Sequence, residues 1–159
     1  MIVEIGRVLK RMHNPWGRLF WFSADITLLG DTSVHAPGGM FINFCINDDC
    51  HNSSFFNAIM GTTSGAGRVI QFWSNYPGTD FSFKSDFNDL GVKHHIYVQQ
   101  IERSNHIYFE FFWDNVMVVS IERDNAMDYD NVAIYTSMPD LRPMGSTLGR
   151  LENFHWGSL

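Results

Sequence analysis

Along most of the chain, apolar and polar residues alternate with a period of two, the side-chain period of a β-strand. In residues 19–29, Phe20, Phe22, Ala24, Ile26 and Leu28 fall on one side, with Trp21, Ser23, Asp25 and Thr27 on the other. Residues 40–47 set Met40, Ile42, Phe44 and Ile46 against Phe41, Asn43, Cys45 and Asn47. Over residues 68–76, Ile70 and Phe72 are apolar, while Gln71, Trp73 and Asn75 share the opposite side. Further strands are predicted over 92–101, 106–112, 116–121, 131–137 and 148–156. Asp114-Asn115, between two of these, suits a tight hairpin turn. Breaks fall at Gly30-Asp31, at Pro37-Gly38-Gly39, over 61–67 and at Tyr76-Pro77-Gly78. No segment carries a sustained helical stripe of apolar residues. Short strands at roughly 8–12-residue spacing, joined by polar turns, predict one all-β domain over 1–159, a two-sheet antiparallel β-sandwich of jelly-roll type.

Composition supports a packed domain. The chain has 159 residues, 45% hydrophobic, with 14 Phe and 5 Trp, enough for one core. A net charge of -6 with only 11 Lys and Arg argues against nucleic acid and anionic membrane surfaces as partners. No apolar run approaches the roughly 18–20 residues of a membrane helix, so no membrane insertion is expected. The opening Met1-Ile2-Val3-Glu4-Ile5 lacks the basic start and apolar stretch of a signal peptide. Cys45 and Cys50 are too few for a structural zinc site without His partners. Their short spacing favours a local loop disulfide over free thiols or an intermolecular bond. Asn52-Ser53-Ser54 is an N-glycosylation acceptor triplet. Both features fit a secreted protein in an oxidising compartment.

The runs Val92-Lys93-His94-His95-Ile96-Tyr97-Val98, Tyr108-Phe109-Glu110-Phe111-Phe112-Trp113-Asp114-Asn115 and Asp130-Asn131-Val132-Ala133-Ile134-Tyr135, closed by Leu148-Gly149-Arg150-Leu151, resemble the back half of a concanavalin A-like or galectin-like jelly roll. Lectin-like domains of the marine-invertebrate type share this order. The stretch from Ile5-Gly6-Arg7-Val8 to Ile26 is similar to the opening strands of that group. The resemblance implies the fold and glycan binding. Galectins read galactosides with a His-x-Asn-Pro-Arg run and a Trp followed by Glu and Arg. Here the corresponding stretches read Asn43-Phe44-Cys45-Ile46-Asn47-Asp48-Asp49, without Pro-Arg, and Trp73-Ser74-Asn75-Tyr76. The galectin site is therefore not carried over residue by residue.

A sugar site needs an aromatic face for the C–H side of the ring and amides or carboxylates for adjacent hydroxyls. Gln71, Trp73 and Asn75 with Asn43 and Asn47 supply these on polar strand sides, and Trp21 and Asp25 are expected to extend the same wall. The competing reading is an ordinary solvated sheet face with Trp covered by another subunit. The loop 47–52, with Asp48, Asp49, His51 and Asn52, is a second candidate, and Tyr76 and Asp80 from the next loop are expected at the same end. Its oxygens suit calcium, but a plain polar hairpin tip is favoured and no cofactor is expected. The 7 histidines show no metal spacing, and His94 and His95, as neighbours on a strand, face opposite ways. Trp16 sits in a turn-like segment that suits the rim of a site, whereas Trp113 and Trp156 read as packing residues.

An enzyme is not expected. Glycoside hydrolysis needs two carboxylates about 5–9 Å apart, and Glu102, Glu110, Glu122 and Glu152 are isolated on their strands. Glu110, between Phe109 and Phe111, is a lone carboxylate in apolar company. The expectation is a secreted lectin for galactose-type terminal glycans such as N-acetyllactosamine, multivalent as a homo-oligomer, with Met117, Val119 and Ile121 supplying either the subunit contact or simply the sandwich core. The alternative is an extracellular protein-interaction or matrix domain without a sugar site.

Overall fold

The computed structural model describes residues 8–12, 18–31, 39–46, 49–62, 68–73, 82–86, 91–123, 132–135 and 147–159, with side chains for 18–27, 91–123, 132 and 150–159. Every regular element among them is a strand: β1 (Val8–Met12), β2 (Phe20–Asp31), β3 (Gly39–Ile46), β4 (Asp49–Thr62), β5 (Arg68–Trp73), β6 (Ser82–Asp86), β7 (Lys93–Arg103), β8 (His106–Trp113), β9 (Val116–Glu122), β10 (Val132–Tyr135) and β11 (Thr147–Ser158). They form two sheets, ordered β11-β2-β7-β8-β9 and β1-β10-β3-β4-β5-β6. All pairings are antiparallel. No helix among the described residues is long and apolar enough to cross a membrane.

The alternation read from the sequence decides which side of the five-stranded sheet is the core. Phe22 pairs with Val98, and Val98 with Phe111, while Ala24 pairs with Ile96 on the next inner rung. All five are at most 1% exposed. Their backbone neighbours Trp21, Tyr97, Gln99 and Phe112 point the other way and are only half-buried. Two aliphatic strands without aromatics would leave a thin core; here Phe20, Phe22, Phe109 and Phe111 fill it. Each buried Phe contributes about 1.5–3 kcal/mol of transfer free energy. At one end of this core the buried Gln100 amide is satisfied on both sides. Its Nε2 donates to the Arg18 carbonyl and its Oε1 accepts from Arg123 Nη1, each at 2.7 Å. The Arg123 guanidinium also lies 4.3 Å above the Phe109 ring.

Turns and bulges set the register. Asp114 and Asn115 both have positive φ, 48° and 66°, as does the Ser104-Asn105 pair joining β7 to β8 (52° and 66°). Two successive left-handed residues make the primed hairpin turn whose twist matches that of its strands. The first of these turns was legible in advance and the second was not, because Ser-Asn is a weaker signal than Asp-Asn. The register also slips between Glu152 and His155 of β11, where Asn153 takes φ 51°. Asparagine tolerates that conformation better than most residues.

The expected subunit contact divides. Val119 and Ile121 pair with the core residues Phe111 and Phe109, so they belong to the inner rungs. Met117, after a register shift, pairs with Phe112 on the outer side and is 51% exposed.

Truncating the inner rung tests this assignment. Phe111→Ala should lower unfolding free energy by about 3–5 kcal/mol. Met117→Ala should stay within about 0.5 kcal/mol. Urea denaturation of both variants measures the difference; equal losses would reverse the sides assigned to β8 and β9.

Candidate functional site

The six-stranded sheet is described through its backbone, and its register sorts its residues into two faces. Val132 of β10 is fully buried, so its rung marks the side turned to the other sheet. Val132 pairs with Ile46, Ile134 with Phe44, and Phe44 with Phe56. Two residues along, Ile42, Ala58, Phe72 and Phe83 form one rung. These positions are apolar and share the face of Val132, as alternation requires. The intervening rung holds Tyr135, Asn43, Asn57, Trp73 and Ser82, on the opposite face. Gln71 lies two residues from Trp73 on that same face, paired with Ile59 and Lys84.

Three expected site residues, Asn43, Gln71 and Trp73, are thus brought onto one wall of one sheet. Asn57 joins them between Asn43 and Trp73. The clue to it was a lone amide inside the apolar run Phe55-Phe56-Asn57-Ala58-Ile59-Met60.

Two expectations are corrected. Trp21 and Asp25 do not extend this wall: β2 pairs with β7 and β11, so both lie in the five-stranded sheet. Alternation shows which side of a strand a residue takes, but not which sheet the strand joins. The segment expected as a loop over 47–52 is mostly strand, since Asp49, His51 and Asn52 lie in β4. Ile46 pairs with Asp49, whereas Cys45 pairs with Ser54, so the extra residues 50–53 form a bulge between these two pairs. Cys45 and Cys50 flank the Ile46–Asp49 rung. Asn47, Asp48, Asn75, Tyr76 and Asp80, like Trp16, lie outside the described residues.

The outer side of the five-stranded sheet is a second polar surface with a fixed network. Asp25 accepts from Asn153 Nδ2 at 2.7 Å and lies 2.8 Å from His95 Nδ1, with Lys93 Nζ at 3.9 Å. The bulge at Asn153 therefore joins β11 to β2, and Asp25 passes the connection to β7. The His95 hydrogen bond, aided by Asn153 and the Lys93 charge, holds the Asp25 carboxyl below 3.8 against the opposing effect of burial. Glu110 has no exposed side-chain surface and takes both Arg103 nitrogens, at 2.5 and 3.0 Å, and Gln99 Nε2 at 2.6 Å. A lone carboxylate from the sequence is thus a buried ion-pair acceptor. Glu122 sits 2.6 Å from His106 Nδ1, and Glu152 3.0 Å from Lys93 Nζ. His94, as alternation required, faces away from His95. It stacks on Trp113 at 4.6 Å and meets Asp114 Oδ2 at 2.7 Å, a turn-fixing role. Among the described residues, no three His, Cys, Asp or Glu side chains gather as metal ligands.

No family model matches the sequence, and no curated protein matches it. Solved structures do. The carbohydrate binding module CBM66 from Bacillus subtilis matches with TM-score 0.50 at 12% identity, covering 94% of this chain and 78% of its own. Sheep galectin-11 matches with TM-score 0.51 at 8% identity, covering 92% and 96%. The marine PL7 alginate lyase AlyA1 from Zobellia galactanivorans matches with TM-score 0.54 at 13% identity, covering 95% and 66%. The fold is a concanavalin A-like jelly roll. At such identities the likeness is one of architecture, and this jelly roll spans only about two thirds of the lyase's length.

Two outcomes follow. Asp25 and Glu152 both titrate below their ordinary values, Glu152 mainly through its hydrogen bond to Lys93. The unfolded chain therefore binds more protons than the native one in acid. Their stabilisation is complete above about pH 5 and is lost as pH falls through the ordinary values, 4.5 for Glu152 and 3.8 for Asp25, toward the lower native ones. The urea midpoint should fall over that window, and fall less steeply in Asp25→Asn; an unchanged slope would remove Asp25 from the network. For the cysteines, thiol titration of air-oxidised, denatured protein should detect no free thiol while the chain runs as a monomer on a non-reducing gel. Two reactive thiols would contradict the local disulfide.

Proposed function

We propose that this jelly roll is a carbohydrate-binding domain without catalytic activity, acting outside the cell on galactose-type terminal glycans. The observation that carries the reading is the rung Tyr135–Asn43–Asn57–Trp73–Ser82, on the face opposite buried Val132. It combines an indole with two amides in adjacent strands. Directly opposite residues in antiparallel strands lie about 4.5–5.5 Å apart at Cβ, a spacing on the scale of one sugar ring. An indole stacks on the C–H face while amides take the hydroxyls as donor and acceptor together. Gln71 on the neighbouring same-face position extends the amide set.

The fold's likeness to a protein named a carbohydrate binding module and to a galectin supports the same class. The lyase likeness supports a polysaccharide ligand as readily as an enzyme. Against glycoside hydrolysis by a carboxylate pair stands the state of three described carboxylates: Glu110, Glu122 and Glu152 are engaged by Arg103, His106 and Lys93 respectively. Hydrated sugars bind weakly at single sites, so multivalent display raises avidity. Association of copies is one route, and the exposed Val116 and Met117 on β9 suit it.

A glycan array with and without chelator tests the reading on the intact chain. Galactosides should bind independently of calcium, and Trp73→Ala should weaken binding at least about tenfold, the effect of roughly 1.4 kcal/mol of lost stacking. Silence across the array from a folded sample would favour the protein-interaction alternative. Release of reducing ends from polysaccharides would restore the enzyme.

A further inference from the structure

The outer side of the five-stranded sheet carries an aromatic surface that the Trp73 wall does not use. Gly157 is the rung partner of Trp21. A Cβ built on Gly157 would stand 2.8 Å from Trp21 Nε1 and 3.1 Å from Cε2. The indole therefore lies over β11, in space that only a glycine leaves open. The Trp21 side chain is only half-buried there, so part of the indole stays open beside β11. Tyr97 continues this surface, with its ring 6.2 Å from Trp21 and tilted by only 22°. Phe112 meets Tyr97 edge-on at 5.6 Å. All three rings are half-buried, although core packing does not require them.

The groups around these rings show what kind of ligand fits. Tyr97 Oη donates to Gln99 Oε1 at 3.1 Å, and Gln99 donates to Glu110 at 2.6 Å. Burial and the nearby Glu110 charge push the phenol above 10.0, so it stays protonated. The carboxylates on this face all have basic neighbours: Glu110 has Arg103, Glu122 has His106, and Asp25 has His95 while sharing Lys93 with Glu152. Carboxylates held in this way leave no open acidic cluster among the described residues to draw a cation. Its flat rings suit apolar C–H groups, and the fixed phenol and amide suit hydroxyls. A neutral pyranose combines those two demands.

We propose that Trp21 and Tyr97 form a second, independent site for a neutral pyranose. It lies on the outer wall of the sandwich opposite the Trp73 rung, so a single chain binds glycan on two walls turned in opposite directions. The bivalence, though not the Trp21 site itself, rests on the Trp73 reading above. A monomer of this kind would cross-link glycans without association of copies.

The test uses the full chain with 5-fluorotryptophan at its 5 Trp positions, resonances assigned by single Trp→Phe variants. The probes are lactose, N-acetyllactosamine and cellobiose, followed by fluorine NMR. The Trp21 and Trp73 resonances should both shift, each keeping its own isotherm when the other tryptophan is replaced by Phe. Gly157→Ala, which displaces the Trp21 ring without deleting it, should weaken the Trp21 isotherm about tenfold and leave that of Trp73 unchanged. A shift at Trp73 alone would overturn the second site and leave the first reading standing. A shift at Trp21 alone would support the second site and remove the first. No shift at either would overturn both. A Trp21 resonance that moves with protein concentration and not with sugar would assign this surface to a second copy of the chain and overturn the proposal.

Discussion

Everything in this molecule depends on antiparallel strands turning alternate residues to opposite sides of a sheet whose inner side is closed by aromatics. Phe20 and Phe22 of β2 and Phe109 and Phe111 of β8 are fully buried, and between them β7 contributes Ile96 and Val98. Fixing these inner residues fixes their neighbours as well: Trp21, Tyr97, Gln99 and Glu110 have no choice but the outer side. On the other sheet Val132 plays the same part, and the rung of Asn43, Asn57 and Trp73 follows from it by register. A one-residue slip in any pairing would exchange the faces. The bulges at Met40/Ile42 and Cys45/Ile46, and that at Asn153, therefore help decide which residues share a face.

The outer wall of the five-stranded sheet illustrates how a protein stabilises polar groups on such a surface. Glu110 is buried yet outward-facing, because Arg103 and Gln99 close over it. Exposed ion pairs contribute little, whereas an unpaired carboxylate at this depth would be costly. Asp25 ties three strands together through His95, Lys93 and Asn153. These contacts hold Trp21 and Tyr97 on a fixed frame, as a recognition surface requires.

Strand identity was legible wherever the alternation was clean. β2, β7 and β8 fall where Phe20 to Ile26, Ile96 to Val98 and His106 to Phe112 placed them. β4 was not legible, because Phe55-Phe56 and Ile59-Met60 put apolar residues side by side and its bulge breaks the period. β6, at only five residues, left too short a pattern. Asn43, Gln71 and Trp73 share one face because each takes the polar phase of the alternation in a strand of the same sheet. Trp21 and Asp25 were joined to them wrongly, since their strand belongs to the other sheet. Partner choice between strands depends on long-range pairing, which local patterning does not encode. Gly157 carried no signal of its own; its meaning appears only when Trp21 is seen lying over it.

The central claim is that the Trp73 rung lies on the face of its sheet opposite the one marked by Val132. Solvent paramagnetic relaxation, with a neutral gadolinium chelate acting on a fluorotryptophan at position 73, measures this directly. Rapid relaxation, comparable to that of a free fluorotryptophan, is the predicted result. Relaxation as slow as that of a fully enclosed ring such as Phe22, similarly labelled, would place the indole in the core and contradict the assignment of the face.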